Sequence, residues 1–163
     1  QYHEHSGIQR LISDLNHLYR TSPALYEREH SWDGFEWRVV EDRDQSVIAW
    51  LRRAHTSDQL MLVVANLTPV PHQGYEIRVP QAGVWREAIN TDATLYGGSG
   101  MGNWGQALAQ TRAWPQLHPV SPSSTAPISL APPSPTHTPP LYIEHVLTVC
   151  LPPLATLIFE WRA

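Results

Sequence analysis

The sequence predicts a mainly β fold: an antiparallel β-sandwich preceded by one α-helix. Three observations predict it. Residues 35–90 hold five short runs of β-branched and aromatic residues, about ten residues apart and separated by turn residues. Two more such runs close the chain at 145–151 and 155–161. Helical period is confined to the first stretch of the chain, residues 1–26.

In that stretch Ile8, Leu11, Ile12, Leu15, Leu18 and Tyr19 recur at helical spacing and form one apolar stripe. Ser6 followed by Gln9 has capping-box spacing. Pro23 ends the helix at or before Ser22, because the residue ahead of a proline is pushed out of helical geometry. One amphipathic helix cannot bury its own stripe. It must dock on the rest of this chain or on a domain beyond it.

The expected strands are FEWRVV (35–40), SVIAWLRR (46–53), QLMLVVANL (59–67), YEIRVP (75–80), VWREAIN (84–90), HVLTVCL (145–151) and ATLIFEW (155–161). In the second, Val47, Ala49 and Leu51 fall on one face and Ile48, Trp50 and Arg52 on the other. Asp42-Arg43-Asp44, His55 to Asp58, Pro69 to Gly74 and Pro80 to Gly83 supply the turns. A glycine-rich stretch, YGGSGMGNWG, follows Asn90, and Pro152-Pro153 joins the last two strands. From Ala113 to Ile143 there is no charged Asp, Glu, Lys or Arg, and nine of the 15 prolines lie between Pro115 and Pro140. This reads as an extended Pro/Ser/Thr-rich insertion at about 117–142 that adds little to the core.

Composition removes several function classes. At 163 residues the chain holds about one domain. It is too short for a (β/α)₈ barrel, which needs roughly 250 residues. All 11 basic residues are Arg, and the net charge is −4. No basic patch for nucleic acid or a membrane surface is expected. No apolar run approaches the roughly 18 residues of a membrane span. A single cysteine, Cys150, allows no internal disulfide and suits a reducing compartment, the cytoplasm. Its flanks, Val149 and Leu151, make it a buried structural thiol in a strand and not a nucleophile. The opening, QYHEHSG, has no Met and no signal peptide, which points to a piece of a longer protein.

The residues offer no catalytic constellation. The glycine-rich stretch lacks GxxxxGK[ST], so it reads as a turn cluster and not as a phosphate loop. The nine histidines show no metal-ligand spacing, and neither a metal nor another cofactor is expected. There is no GxSxG elbow and no recognisable carboxylate dyad. Tryptophan stands out instead, with seven copies. Trp50, Trp85 and Trp161 sit in strands and suit core packing. Trp32, Trp37, Trp104 and Trp114 sit near turns, where packing and stacking on the apolar face of a sugar are both open.

Six segments carry a resemblance: IQRLISDLNHLYRTSPAL, DGFEW, SVIAWLRR, VVANLTPVPHQGY, VWREAINTDATLYGGSGMGN and LTVCLPPLAT. In this order they resemble the C-terminal portion of bacterial 1,4-α-glucan (glycogen) branching enzymes of glycoside hydrolase family 13. The resemblance covers 7–112 and 145–160 and leaves the proline-rich insertion as a departure. It implies that 1–26 corresponds to the terminal helix of a catalytic barrel and 27–163 to a C-terminal β-sandwich of the alpha-amylase all-beta type. The family transfers α-1,4 glucan segments to 6-hydroxyls through a retaining double displacement, with an Asp nucleophile and a Glu acid/base. Nothing here matches those two residues, so the implied catalytic set is empty and the chain alone is expected to be inactive. The implied partners are the barrel of the same polypeptide and α-glucan, glycogen or maltooligosaccharide. The implied substrate contact is Trp37 in DGFEW, with packing at the interface to the barrel as its alternative, and Trp104 is a second candidate in a loop where the family does not usually carry Trp. A free-standing carbohydrate-binding module and a purely structural domain are the competing readings.

Overall fold

Eight strands among the described residues line up in one hydrogen-bonded sheet, and every pairing is antiparallel. The computed structural model describes the backbone of residues 3–115 and 141–163. Two helices come first, α1 (His3–Thr21) and α2 (Pro23–Tyr26), then a 3-10 turn at Trp32–Gly34. The strands are β1 (Phe35–Asp42), β2 (Val47–Arg53), β3 (Leu60–Asn66), β4 (His72–Val79), β5 (Gly83–Asn90), β6 (Gln106–Pro115), β7 (Leu141–Leu151) and β8 (Thr156–Trp161). A second 3-10 turn, Thr94–Tyr96, lies between β5 and β6.

The sheet order is β1-β2-β3-β8-β5-β6-β7-β4. Its two edge strands approach each other: the Tyr75 hydroxyl of β4 donates to Asp42 Oδ2 of β1 at 2.6 Å. The expected sandwich is therefore one sheet doubled over, with its inner face as the main core. Val47, Ala49 and Leu51 of β2 share that core with Ile77 and Val79 of β4, Leu147 and Val149 of β7, and Phe159 of β8. Trp85 is fully buried there, and its indole N–H is satisfied by Gln81 O at 3.1 Å.

The alternation expected in β2 holds, and it splits the strand between two cores. Trp50 joins a second cluster on the outer face with Met61, Val63, Ile89 and Ile158. Leu11, Leu15 and Leu18 of α1 and Ala24 and Leu25 of α2 cover this cluster. Gly7 lets the helix sit on the second 3-10 turn: a Cβ there would come within 2.3 Å of Tyr96 O. Asp14 then accepts the Tyr96 hydroxyl at 2.9 Å. Burial and that carboxylate push the Tyr96 phenol up to about 12. The apolar stripe is wider than the cover it receives, and Ile8, Ile12 and Tyr19 remain exposed on the other flank of α1.

A buried polar node ties the helices to the sheet. The Ala24 N–H donates to Gln59 Oε1 at 3.1 Å, and Gln59 Nε2 donates to Glu160 at the end of β8. Arg86 of β5 and Arg162 donate to the same carboxylate. Burial opposes ionisation of Glu160, but the bonds from Arg86, Gln59 and Arg162 outweigh it and hold the carboxyl below its ordinary value.

Several expectations need correction. The helix begins at His3, so Ser6 lies inside it and cannot be the N-cap. The strand β6 was not expected. Its inward residues are Ala107 and Ala109, small and weak as strand formers, so no β signal rises above the glycine-rich stretch before it. The absence of charge from Ala113 to Ile143 does not mark an insertion throughout. Ala113 pairs with Ile143 and Pro115 with Leu141, extending β6 and β7 into both ends of that stretch. An uncharged apolar run can still be a strand. The remainder of the proline-rich expectation lies outside the described residues. Cys150 is in a strand as expected but only half-buried.

Two outcomes follow for denaturant unfolding. Leu18→Ala is expected to cost about 2–4 kcal/mol, whereas Ile12→Ala, on the exposed flank, should stay within about 0.5 kcal/mol. The pKa of Glu160 is depressed on folding, so its contribution is complete above the ordinary 4.5 and is lost as pH falls through the lower folded value. Glu160→Gln should cost about 1–3 kcal/mol at neutral pH and flatten the acid limb of the stability curve, measured by urea unfolding from neutral pH to about pH 3.

Candidate functional site

Trp37 lies on β1, the edge strand, where it faces Trp50 of β2 across the ladder. Four aromatic rings run edge to face from the 3-10 turn into the sheet. Trp32 meets Phe35 at 6.3 Å, Phe35 meets Trp37 at 5.0 Å and Trp37 meets Trp50 at 6.2 Å between ring centroids. The alternation of β1 puts Phe35 and Trp37 on the same side. Gly34 lets the turn close: a Cβ there would lie 2.4 Å from the Arg28 Cβ. The far end of the row is packed and the near end is open, with Trp37 49% and Trp32 85% exposed.

Trp32, Phe35 and Trp37 border a cleft of about 440 Å³ whose other walls include Glu29, His30 and Arg52. Among the described residues Arg52 Nη2 is buried without a hydrogen-bond partner. That nitrogen is enclosed, so what the cleft offers a partner is the open aromatic surface of Trp32 and Trp37 beside polar walls. Tyr19 links the cleft to α1. Its hydroxyl donates to Glu29 at 3.2 Å, and its ring meets Tyr26 edge to face at 6.1 Å. The exposed flank of α1 and the aromatic cleft thus adjoin.

Trp104 is not part of this cleft. It occupies the tip between β5 and β6, where the Gln106 N–H donates to Asn103 O at 3.2 Å. Both central residues of that turn have positive φ, Trp104 at 56° and Gly105 at 87°. This is the pattern of a type I′ turn, which favours Asn or Gly at its first central position. A bulky aromatic there is strained by about 1–2 kcal/mol, and the ring recovers nothing from packing, since it is fully exposed. The turn itself is firmly held. Asn103 donates to Glu87 Oε2 from its backbone at 3.1 Å and its side chain at 2.8 Å, and its Oδ1 accepts the Cys150 N–H at 2.7 Å.

Of the remaining candidates, Trp85 is core and Trp50 and Trp161 are partly buried against the two clusters. Trp114 lies in β6, paired with Tyr142. Composition had not marked the unsatisfied Arg52, because pairing of an arginine is a tertiary property with no local signature. Among the described residues no three His, Cys, Asp or Glu side chains gather as a metal site, and no helix is long and apolar enough to cross a membrane.

Residues 37–127 match the family model described as alpha amylase, C-terminal all-beta domain. The chain belongs to that family. The chain is also similar to proteins named 1,4-alpha-glucan branching enzyme GlgB. It is 42% identical to that of Rhizobium meliloti over 160 residues, 98% of this chain and 18% of the relative. The Synechococcus elongatus protein is 41% identical over 160 residues, 98% and 17% of the two chains. The Aquifex aeolicus protein is 48% identical over 114 residues, 70% and 18%. The chain therefore spans less than a fifth of the length of these curated relatives.

Since strain at Trp104 is not repaid by packing, Trp104→Gly is expected to raise stability by about 1 kcal/mol, read as a higher thermal midpoint.

Proposed function

We propose that this chain is the C-terminal β-domain of a 1,4-α-glucan branching enzyme, whose whole polypeptide forms α-1,6 branches by transferring α-1,4 glucan segments. The observation that carries this reading is the near-full-length similarity to proteins of that name, which includes α1 as well as the strands. The chemistry belongs to a barrel outside this chain. The domain supports that barrel, with 1–26 as the barrel's terminal helix, 27–163 as the β-domain, and the exposed flank of α1 as the surface that meets the missing partner. The single half-buried thiol suits the cytoplasm.

Within this reading Trp37 contacts glucan at the aromatic cleft. The pyranose ring supplies the apolar face that stacks on the open indole, and its hydroxyls stay toward solvent and the polar walls of the cleft. Trp37 and Trp32 are exposed beside a partly buried Trp50, which leaves their faces open either to a sugar or to the barrel at the domain interface. The free-standing module is disfavoured by the uncovered residues Ile8, Ile12 and Tyr19.

Calorimetric titration of the purified chain with maltoheptaose tests the contact. Saturable binding in the millimolar range is expected, with the component contributed by the cleft removed in Trp37→Ala. Superimposable isotherms for the two proteins would rule Trp37 out. An iodine-stain assay of the chain alone should show no branching, and activity there would overturn the assignment of catalysis to a separate barrel.

A further inference from the structure

One wall of the aromatic cleft is a single stretch of chain. Glu29, His30, Ser31 and Trp32 all line it, and all lie between α2 and β1. The stretch is anchored at its start to the turn between β2 and β3. The Glu27 carboxylate accepts the His55 N–H at 2.7 Å, the Thr56 N–H at 3.0 Å and the Thr56 hydroxyl. Beside this clamp, Arg28 Nη2 donates to His55 Nδ1. We infer that this second anchor is a proton-sensitive latch: protonation of His55 releases Arg28 and frees the cleft wall formed by residues 29–32.

The groups themselves fix the roles in the contact. A guanidinium only donates and is not deprotonated in proteins. His55 must therefore offer a lone pair at Nδ1 and carry its proton on Nε2. An imidazolium is a donor at both nitrogens. It has no lone pair for Arg28 and sets a second positive charge against it. The contact exists only with neutral His55.

The surrounding charges leave His55 as the group that switches. They are Glu27 and Arg28 on the anchored stretch, and Arg53 and Asp58 on its own hairpin. Between pH 5 and 8 carboxyl groups ordinarily stay ionised and arginine stays charged, while histidine changes charge. The bond from the Thr56 hydroxyl, then those from the His55 and Thr56 N–H groups, hold the Glu27 carboxyl below its ordinary value. The Glu27 clamp therefore persists when the latch opens, and the release is local.

Arg28 passes its position on to the wall. Its carbonyl accepts the Ser31 N–H at 3.3 Å, and the Trp32–Gly34 turn closes against it, with a Cβ on Gly34 falling 2.7 Å from Arg28 O. Beyond Arg28 the hold is light: the Tyr19 hydroxyl donates to Glu29 at 3.2 Å across an exposed contact. The latch thus sets where Trp32 stands. That its release weakens glucan binding rests on the reading of the Trp37 cleft given above; the latch itself is read without a ligand.

The test measures backbone ¹⁵N order parameters of residues 29–34 in the purified chain at pH 8 and pH 5. His30→Asn serves as background, which removes the other histidine of the wall. Values of about 0.85 at pH 8, falling to about 0.6 at pH 5, are expected. Adding His55→Asn supplies an amide oxygen that accepts from Arg28 at either pH, so the wall should stay at about 0.85 in both. Adding His55→Ala should lower the values at both. Val63, in the buried strand β3, is the control, and its unchanged value shows that the release is local. No fall in the background, the same fall with His55→Asn, full order with His55→Ala, or a matching fall at Val63 would each overturn the latch.

Discussion

The strand β3 is buried at all seven positions, and the rest of the structure follows from that. A strand apolar on both faces cannot sit on a sheet with one wet side. Leu60, Leu62 and Val64 are covered because the sheet doubles over and brings β4, β6 and β7 against them. Met61 and Val63 point the other way, and curvature alone cannot cover them. The outer face over β3, β8 and β5 therefore requires the helices. The N-terminal segment is a structural part of the β-domain as well as an apolar flank turned outward.

The Gln59–Glu160 node makes that cover specific. Apolar packing is non-directional and would let α1 and α2 slide over the sheet. One carboxylate shared by Gln59, Arg86 and Arg162 fixes the end of β8 against β5, and the amide oxygen of Gln59 fixes the first turn of α2. The two arginines remain largely exposed, so the node stays partly hydrated and its contribution lies more in register than in raw stability. At the other end, the contact of Gly7 and Asp14 with Tyr96 sets where α1 meets the glycine-rich loop.

What could be read from the residues was whatever has a local signature. The alternation of β2 placed Val47, Ala49 and Leu51 inside without a structure, because period two is a property of neighbouring residues. The seven expected strands exist for the same reason. The strand β6 escaped because two alanines facing inward carry no such signal, and its place depends on partners at both sides. The capping-box spacing at Ser6 misled because two residue types at the right distance say nothing about where the helix begins. Trp37 and Trp104 were both visible as turn-proximal tryptophans. Their difference was not: one ends a packed aromatic row, and the other stands alone on a strained turn, a distinction that resides in φ and in exposure.

The Trp37 cleft and the Trp104 loop are not independent of α1. The helix touches the second 3-10 turn, beside the Trp104 loop, through Gly7 and Asp14, and it reaches the Trp37 cleft through Tyr19 and Glu29. From Gly7 to Tyr19 the helix rises about 18 Å at 1.5 Å per residue. A change that loosens α1 at either contact therefore reaches both at once. The Gln59–Glu160 node does not hold α1 directly, since its bond is to Ala24 of α2, so the seat of α1 depends on its apolar packing and on the Tyr96 contact.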